Sequence, residues 1–138
     1  MPTATATATS FRKAVEDLRT WLVDHPHIPI DYIEFADESE VDMTSCATDG
    51  FTALITAADV ADALTEPSIE VTDLDNGIAT RLTVSGTTND LAVTVTATVL
   101  NGARRAFLRA INARPLDEAV IWTTTAAHLR AVAATGGA

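Results

Sequence analysis

Asp75-Asn76-Gly77 stands between two runs of aliphatic and β-branched residues, Ile69 to Leu74 and Ile78 to Val84. Asn-Gly supplies the positive φ angles that a tight turn between antiparallel strands requires, so this stretch is expected to close a hairpin. A second turn, over Ser85 to Asp90, leads into a strict alternation of Leu91, Val93, Val95, Ala97 and Val99 with Ala92, Thr94, Thr96 and Thr98. Slipping such a strand by one residue would turn its whole aliphatic set to water, so the pattern predicts a half-buried strand with a defined register. The chain is thereby committed to a sheet with one apolar face, and other segments must cover it.

Helical spacing supplies the cover. Ser10 is placed to cap a helix whose apolar positions Phe11, Val15, Leu18 and Leu22 form one stripe, widened by Ala14 and Trp21. Asp24-His25-Pro26-His27-Ile28-Pro29 ends it, because a proline pushes its predecessor out of helical geometry. Ile30 to Phe35 and Val41 to Cys46 read as strands around the polar turn Asp37-Glu38-Ser39-Glu40. After the break at Thr48-Asp49-Gly50, Phe51 to Leu64 has helical spacing up to a stop at Pro67. Ala103 to Asn112 reads as a third helix with Phe107, Leu108 and Ile111 inward, ended by Pro115. Leu116 to Trp122 fits a short strand or the start of a helix reaching Val132; Asp117 and Glu118 in a first turn favour the helix. The expected architecture is α+β, a small antiparallel sheet with helices packed on one face, in the order α-β-β-α-β-β-β-α-α. Residues 1–9 are expected to form a flexible Thr/Ala tail, residues 10–134 a single domain, and residues 135–138 a short flexible C-terminus.

Composition limits the function classes. The 138 residues carry a formal net charge of −10. That balance argues against affinity for nucleic acid or an anionic membrane, since phosphate binding depends on Lys and Arg displacing counterions. Cys46 is the single cysteine, so an internal disulfide is excluded. The first ten residues have neither a basic start nor an apolar stretch of signal-peptide length, and cytoplasmic residence is the expectation.

Four groups of residues carry potential chemistry. His25 and His27 would share a metal only if further ligands converged on them, and Asp24, Asp31 or His128 could be recruited only through the fold. A helix-ending turn with exposed histidines is the plainer reading. Cys46 and Ser45 lack an adjacent base or a nucleophile-elbow motif, and no Gly-rich phosphate loop occurs. No catalytic residue, metal or cofactor is therefore assigned. Asp31, Glu34, Asp37, Glu38, Glu40 and Asp42 place six carboxylates on one hairpin without the spacing of a calcium loop, suiting either a solvated edge or a basic partner. Arg104, Arg105 and Arg109 of the third helix, with Arg114 just beyond it, gather basic charge within eleven positions, either as an ordinary solvated face or as a clasp for an anion or for the acidic hairpin of another copy.

The segment Leu18-Arg19-Thr20-Trp21-Leu22-Val23-Asp24-His25-Pro26-His27-Ile28-Pro29 resembles the opening of a group of small actinobacterial and actinophage proteins, in which a helix ending Trp-Leu precedes His-Pro and a second proline. The resemblance implies a source of high GC content, in keeping with the preference for Arg over Lys, and carries no activity or site residue with it. Charge polarity points first to a non-enzymatic interaction module that binds another protein, or its own copy, through the acidic hairpin or the arginine face. A small-molecule-binding or enzymatic domain with a pocket between sheet and helices is a second reading. An acidic inhibitor or immunity-type protein is a third.

Overall fold

A computed structural model describes residues 3–45, 50–73, 79–100 and 121–136. The elements are α1 (Thr3–Asp24), β1 (Tyr32–Asp37), β2 (Glu40–Ser45), α2 (Gly50–Asp62), β3 (Thr65–Asp73), β4 (Ala79–Thr88), β5 (Leu91–Leu100), β6 (Ile121–Thr124) and α3 (Ala126–Gly136). The strands form one six-stranded sheet in the order β1-β2-β5-β4-β3-β6. The α+β class and the approximate element order are those the sequence leads one to expect.

The sheet is mixed, which corrects the expectation of an antiparallel one. β2 pairs with β5 in parallel, Val41 opposite Val93 and Met43 opposite Val95, while the other neighbours are antiparallel. Parallel neighbours require a crossover, and here α2 with the β3–β4 hairpin fills it. The Asn76-Gly77 turn lies outside the described residues, but the strands flanking it are in the register centred on that dipeptide, Asp73 opposite Thr80 and Ile69 opposite Val84. The next turn is Asn89-Asp90, joining Thr88 to Leu91 across the ladder. Asn89 takes a φ of 52°, a left-handed conformation that asparagine tolerates better than most residues.

One face of the sheet is buried. Val41, Met43, Ile69, Val71, Leu82, Val84, Leu91, Val93, Val95 and Ala97 are buried there together with Ala14, Leu18 and Trp21 of α1 and Leu129 and Val132 of α3. α2 is buried nearly all round, through Ala53, Leu54, Ala57, Ala58, Val60 and Ala61, against β3, β4, β5 and α3. The opposite face carries Thr44, Thr96 and Thr83 side by side on three adjacent strands, with Thr94 and Ser85 in the next row.

Three helical expectations change. α1 starts at Thr3, so Ser10 is inside the helix and does not cap it; the alternating alanines of the first turns are strong helix formers. Within α1 the buried stripe is Ala14, Leu18 and Trp21, whereas Val15 is 48% exposed. Val15 and Trp21 flank Leu18 on opposite sides, and Trp21 takes the core, where its larger apolar surface is buried and its Nε1 donates to the Ala63 carbonyl at 3.0 Å. Finally, Ile121–Thr124 is a strand on the outer edge of β3, not the start of a helix. Its β-branched residues suit an edge, and Thr125 then caps α3, its Oγ1 accepting from His128 N at 3.2 Å. Residues 101–120, which include the expected third helix, lie outside the described residues, as does Cys46.

Between Thr65 and Ser68 the β3–β4 register shifts, with Glu66 at a φ of 50°. Gly86 sits beneath this irregularity. A Cβ there would lie 2.8 Å from Leu64 Cβ and 3.0 Å from the Thr65 carbonyl oxygen. Gly86→Ala is therefore expected to cost about 1–3 kcal/mol, the usual range for overpacking, read as a lower denaturant midpoint with an unchanged slope. Thr125→Ala should cost about 1 kcal/mol through the lost cap, read the same way.

Candidate functional site

β1 is the outermost strand of the sheet and, among the described residues, pairs with β2 alone. Its sequence Tyr32-Ile33-Glu34-Phe35-Ala36-Asp37 is exposed on both faces apart from a half-buried Phe35. The ladder sets Tyr32 opposite Thr44, Ile33 opposite Met43, Glu34 opposite Asp42 and Phe35 opposite Val41. Directly opposed residues share a face, so Ile33 and Phe35 point to the helical side with buried Met43 and Val41. Tyr32 and Glu34 point to the open side with Thr44 and Asp42. Tyr32 is 59% exposed and Ile33 42%. Phe35 is met edge-on by Phe11 of α1, ring centroids 6.1 Å apart.

The six hairpin carboxylates fall into separate roles. Asp37 holds the turn: its Oδ1 accepts from Ser39 N at 2.7 Å and from Ser39 Oγ at 2.9 Å. The backbone donation from Ser39 and then its hydroxyl keep the Asp37 carboxyl below the usual range. Asp31 precedes the strand, its N–H donating to the Thr44 carbonyl at 2.9 Å. Glu34 and Asp42 are an opposed like-charge pair, an arrangement that costs stability in a sheet. Glu38 occupies the turn and Glu40 begins β2; both are exposed. Among the described residues, Glu34, Glu38, Glu40 and Asp42 have no salt bridge. Lys13 lines a surface pocket of about 230 Å³ with Glu38 and Ser39. Its Nζ, however, lies 2.8 Å from Asp17 and 3.7 Å from Asp90. The hydrogen bond to Asp17 leads the causes that raise its pKa.

Arg104, Arg105, Arg109 and Arg114 lie outside the described residues. His25 and His27 follow the end of α1, their rings 6.2 Å apart between centroids, and His25 also meets the Trp21 ring at 5.3 Å. His25 Nδ1 is buried and, among the described residues, has no hydrogen-bond partner. With Asp24, Asp59, Asp62, Ala63 and Arg130 these histidines line a surface cleft of about 280 Å³. Arg130 of α3 spans two carboxylates of α2, Asp59 at 2.8 Å and Asp62 at 2.5 Å. Those hydrogen bonds, Asp59 first, raise its pKa. His27 Nε2 is 4.0 Å from Asp59. Among the described residues, no group of three or more His, Cys, Asp or Glu side chains has a geometry that could hold a metal ion. The Asp59–Arg130–Asp62 clamp joins α2 to α3 and serves packing.

Reading the residues alone identified the carboxylates but missed Tyr32 and Ile33. The signal was present: Ile30 to Phe35 lacks clean alternation, as an edge strand wetted on both faces does. Asp59 and Asp62 were also missed, although their three-residue spacing sets them on one side of a helix. Comparison of the chain with protein-family models, with curated proteins and with solved structures finds no match.

The Asp37 turn has a pH signature. A carboxyl held below its unfolded value adds stability above the unfolded pKa and loses it as pH falls through the folded one. Asp37→Ala should therefore be less stable than the parent chain at pH 7. That difference should shrink through and below the ordinary carboxylate range, as measured by urea unfolding across pH.

Proposed function

We propose that the chain is a non-enzymatic interaction module resident in the cytoplasm, and that its acidic β1–β2 hairpin receives a basic segment of another protein. The observation carrying this reading is the state of the outer edge. β1 leaves one side of its backbone unpaired among the described residues, exposes Tyr32 and Ile33, and is accompanied by Glu34, Glu38, Glu40 and Asp42, which have no salt bridge among the described residues. Charge placed this way repels a second copy of the same edge and favours an opposite one, so it discriminates between partners as well as attracting them. The net charge of −10 acts in the same direction by steering cationic partners toward the chain. Among the described residues no helix is long and apolar enough to cross a membrane.

The test is fluorescence anisotropy with a labelled lysine-rich peptide and its glutamate counterpart, each at low and high salt. The lysine peptide should bind at low salt and weaken as salt screens the contact, while the glutamate peptide should not bind. The double variant Glu34→Lys, Asp42→Lys exchanges one exposed like-charge pair for another of opposite sign, so it should fold as the parent does and lose the lysine peptide. Equal binding by parent and variant, or no binding of the lysine peptide, would overturn the reading.

A further inference from the structure

We infer, resting on the proposed function, that the basic partner segment enters as a seventh strand beside β1, and that it alternates basic residues with apolar ones. Three observations on β1 lead there. The strand has a free backbone edge among the described residues, and an extended segment added to such an edge gains main-chain hydrogen bonds that a disordered cation would not. Its two faces differ in chemistry, and side chains of an added strand would fall alternately on them. On the open side they would meet Tyr32 and Glu34, with Asp42 one strand further in, which suits ammonium or guanidinium groups through ion pairing and cation–π contact. On the helical side they would meet Ile33, 42% exposed, and Phe35 with its Phe11 neighbour.

The helical side supplies what charge alone does not. Ile33 stands opposite Met43, which is 1% exposed, so the sheet core ends abruptly at β1 with an aliphatic side chain left in water. An apolar residue on a seventh strand, directly opposite Ile33, would extend the core by one layer. The extra residue at Ala36, where the β1–β2 register shifts between Phe35 and Asp37, confines regular pairing to the first part of the strand. The complementary segment is therefore short, about four residues over Tyr32 to Phe35.

Three peptides of equal length and composition separate this inference from the reading it rests on: Lys and Val in alternation, the same residues in two blocks, and the alternating peptide with its backbone amides N-methylated. The alternating peptide should bind about tenfold or more tighter than the block peptide, a difference of about 1.4 kcal/mol. N-methylation should abolish that advantage. Ile33→Thr, which removes the apolar side chain without changing charge, should weaken the alternating peptide and leave the block peptide unchanged, with circular dichroism confirming that the variant folds. Equal affinities for the alternating and block peptides, both sensitive to salt and to Glu34→Lys, Asp42→Lys, would overturn strand addition and keep the charge-based reading. Failure of all three peptides to bind at low salt would remove both.

Discussion

Burial of α2 is the constraint from which the rest of the molecule takes its positions. A helix can be enclosed on nearly every side only if its side chains are small where neighbours approach closely, and Ala53, Ala57, Ala58 and Ala61 provide that. Leu54 and Val60 fill the remaining space, and burying each such side chain is worth about 1.5–3 kcal/mol. Because α2 lies against β3, β4 and β5, it sets the depth at which α3 packs, while α1 meets β4 and β5. Trp21 reaches the end of this helical segment through the Ala63 carbonyl, and Arg130 grips it through Asp59 and Asp62. Hydrophobic contact decides where the helices lie, and these polar links decide how they are rotated.

The two ends of the sheet are unlike. At one end β6 adds four residues to β3 and runs at once into α3, so that edge is short and tied to a helix. At the other end β1 carries two exposed apolar side chains between carboxylates, with an extra residue near its end. Charge and irregularity on an edge strand are ordinary protection against association with other edges. The same devices do not exclude a cationic strand, so protection is compatible with the recognition proposed for β1.

The strands and their faces were legible because alternation in Leu91 to Val99 and the Asn-Gly turn act locally. The parallel joint between β2 and β5 was not, since nothing within Val41 to Ser45 records that its neighbour lies some fifty positions later. Propensity at Ile121 to Thr124 agreed with the strand, whereas Asp117 and Glu118 pulled the reading toward a helix. Val15 shows the finer limit. A stripe on a helix leaves its rotation open by one side chain, and in α1 the burial of Trp21, with its hydrogen bond to Ala63, accompanies the exposure of Val15. For the candidate site, the carboxylates stood out in the sequence, whereas the exposure of Tyr32 and Ile33 follows from β1 being outermost, a property of the whole sheet.

The parallel pairing of β2 with β5 also has a temporal side. A chain made from its N-terminus releases the β1–β2 segment well before Val93 and Val95 exist to receive Val41 and Met43. Contacts of such sequence separation form late, after the loop-closure entropy has been met. In that interval the hairpin has two bare edges instead of one and an uncovered apolar face. The like charge of the carboxylates that border it opposes edge-to-edge approach of two such hairpins in that interval.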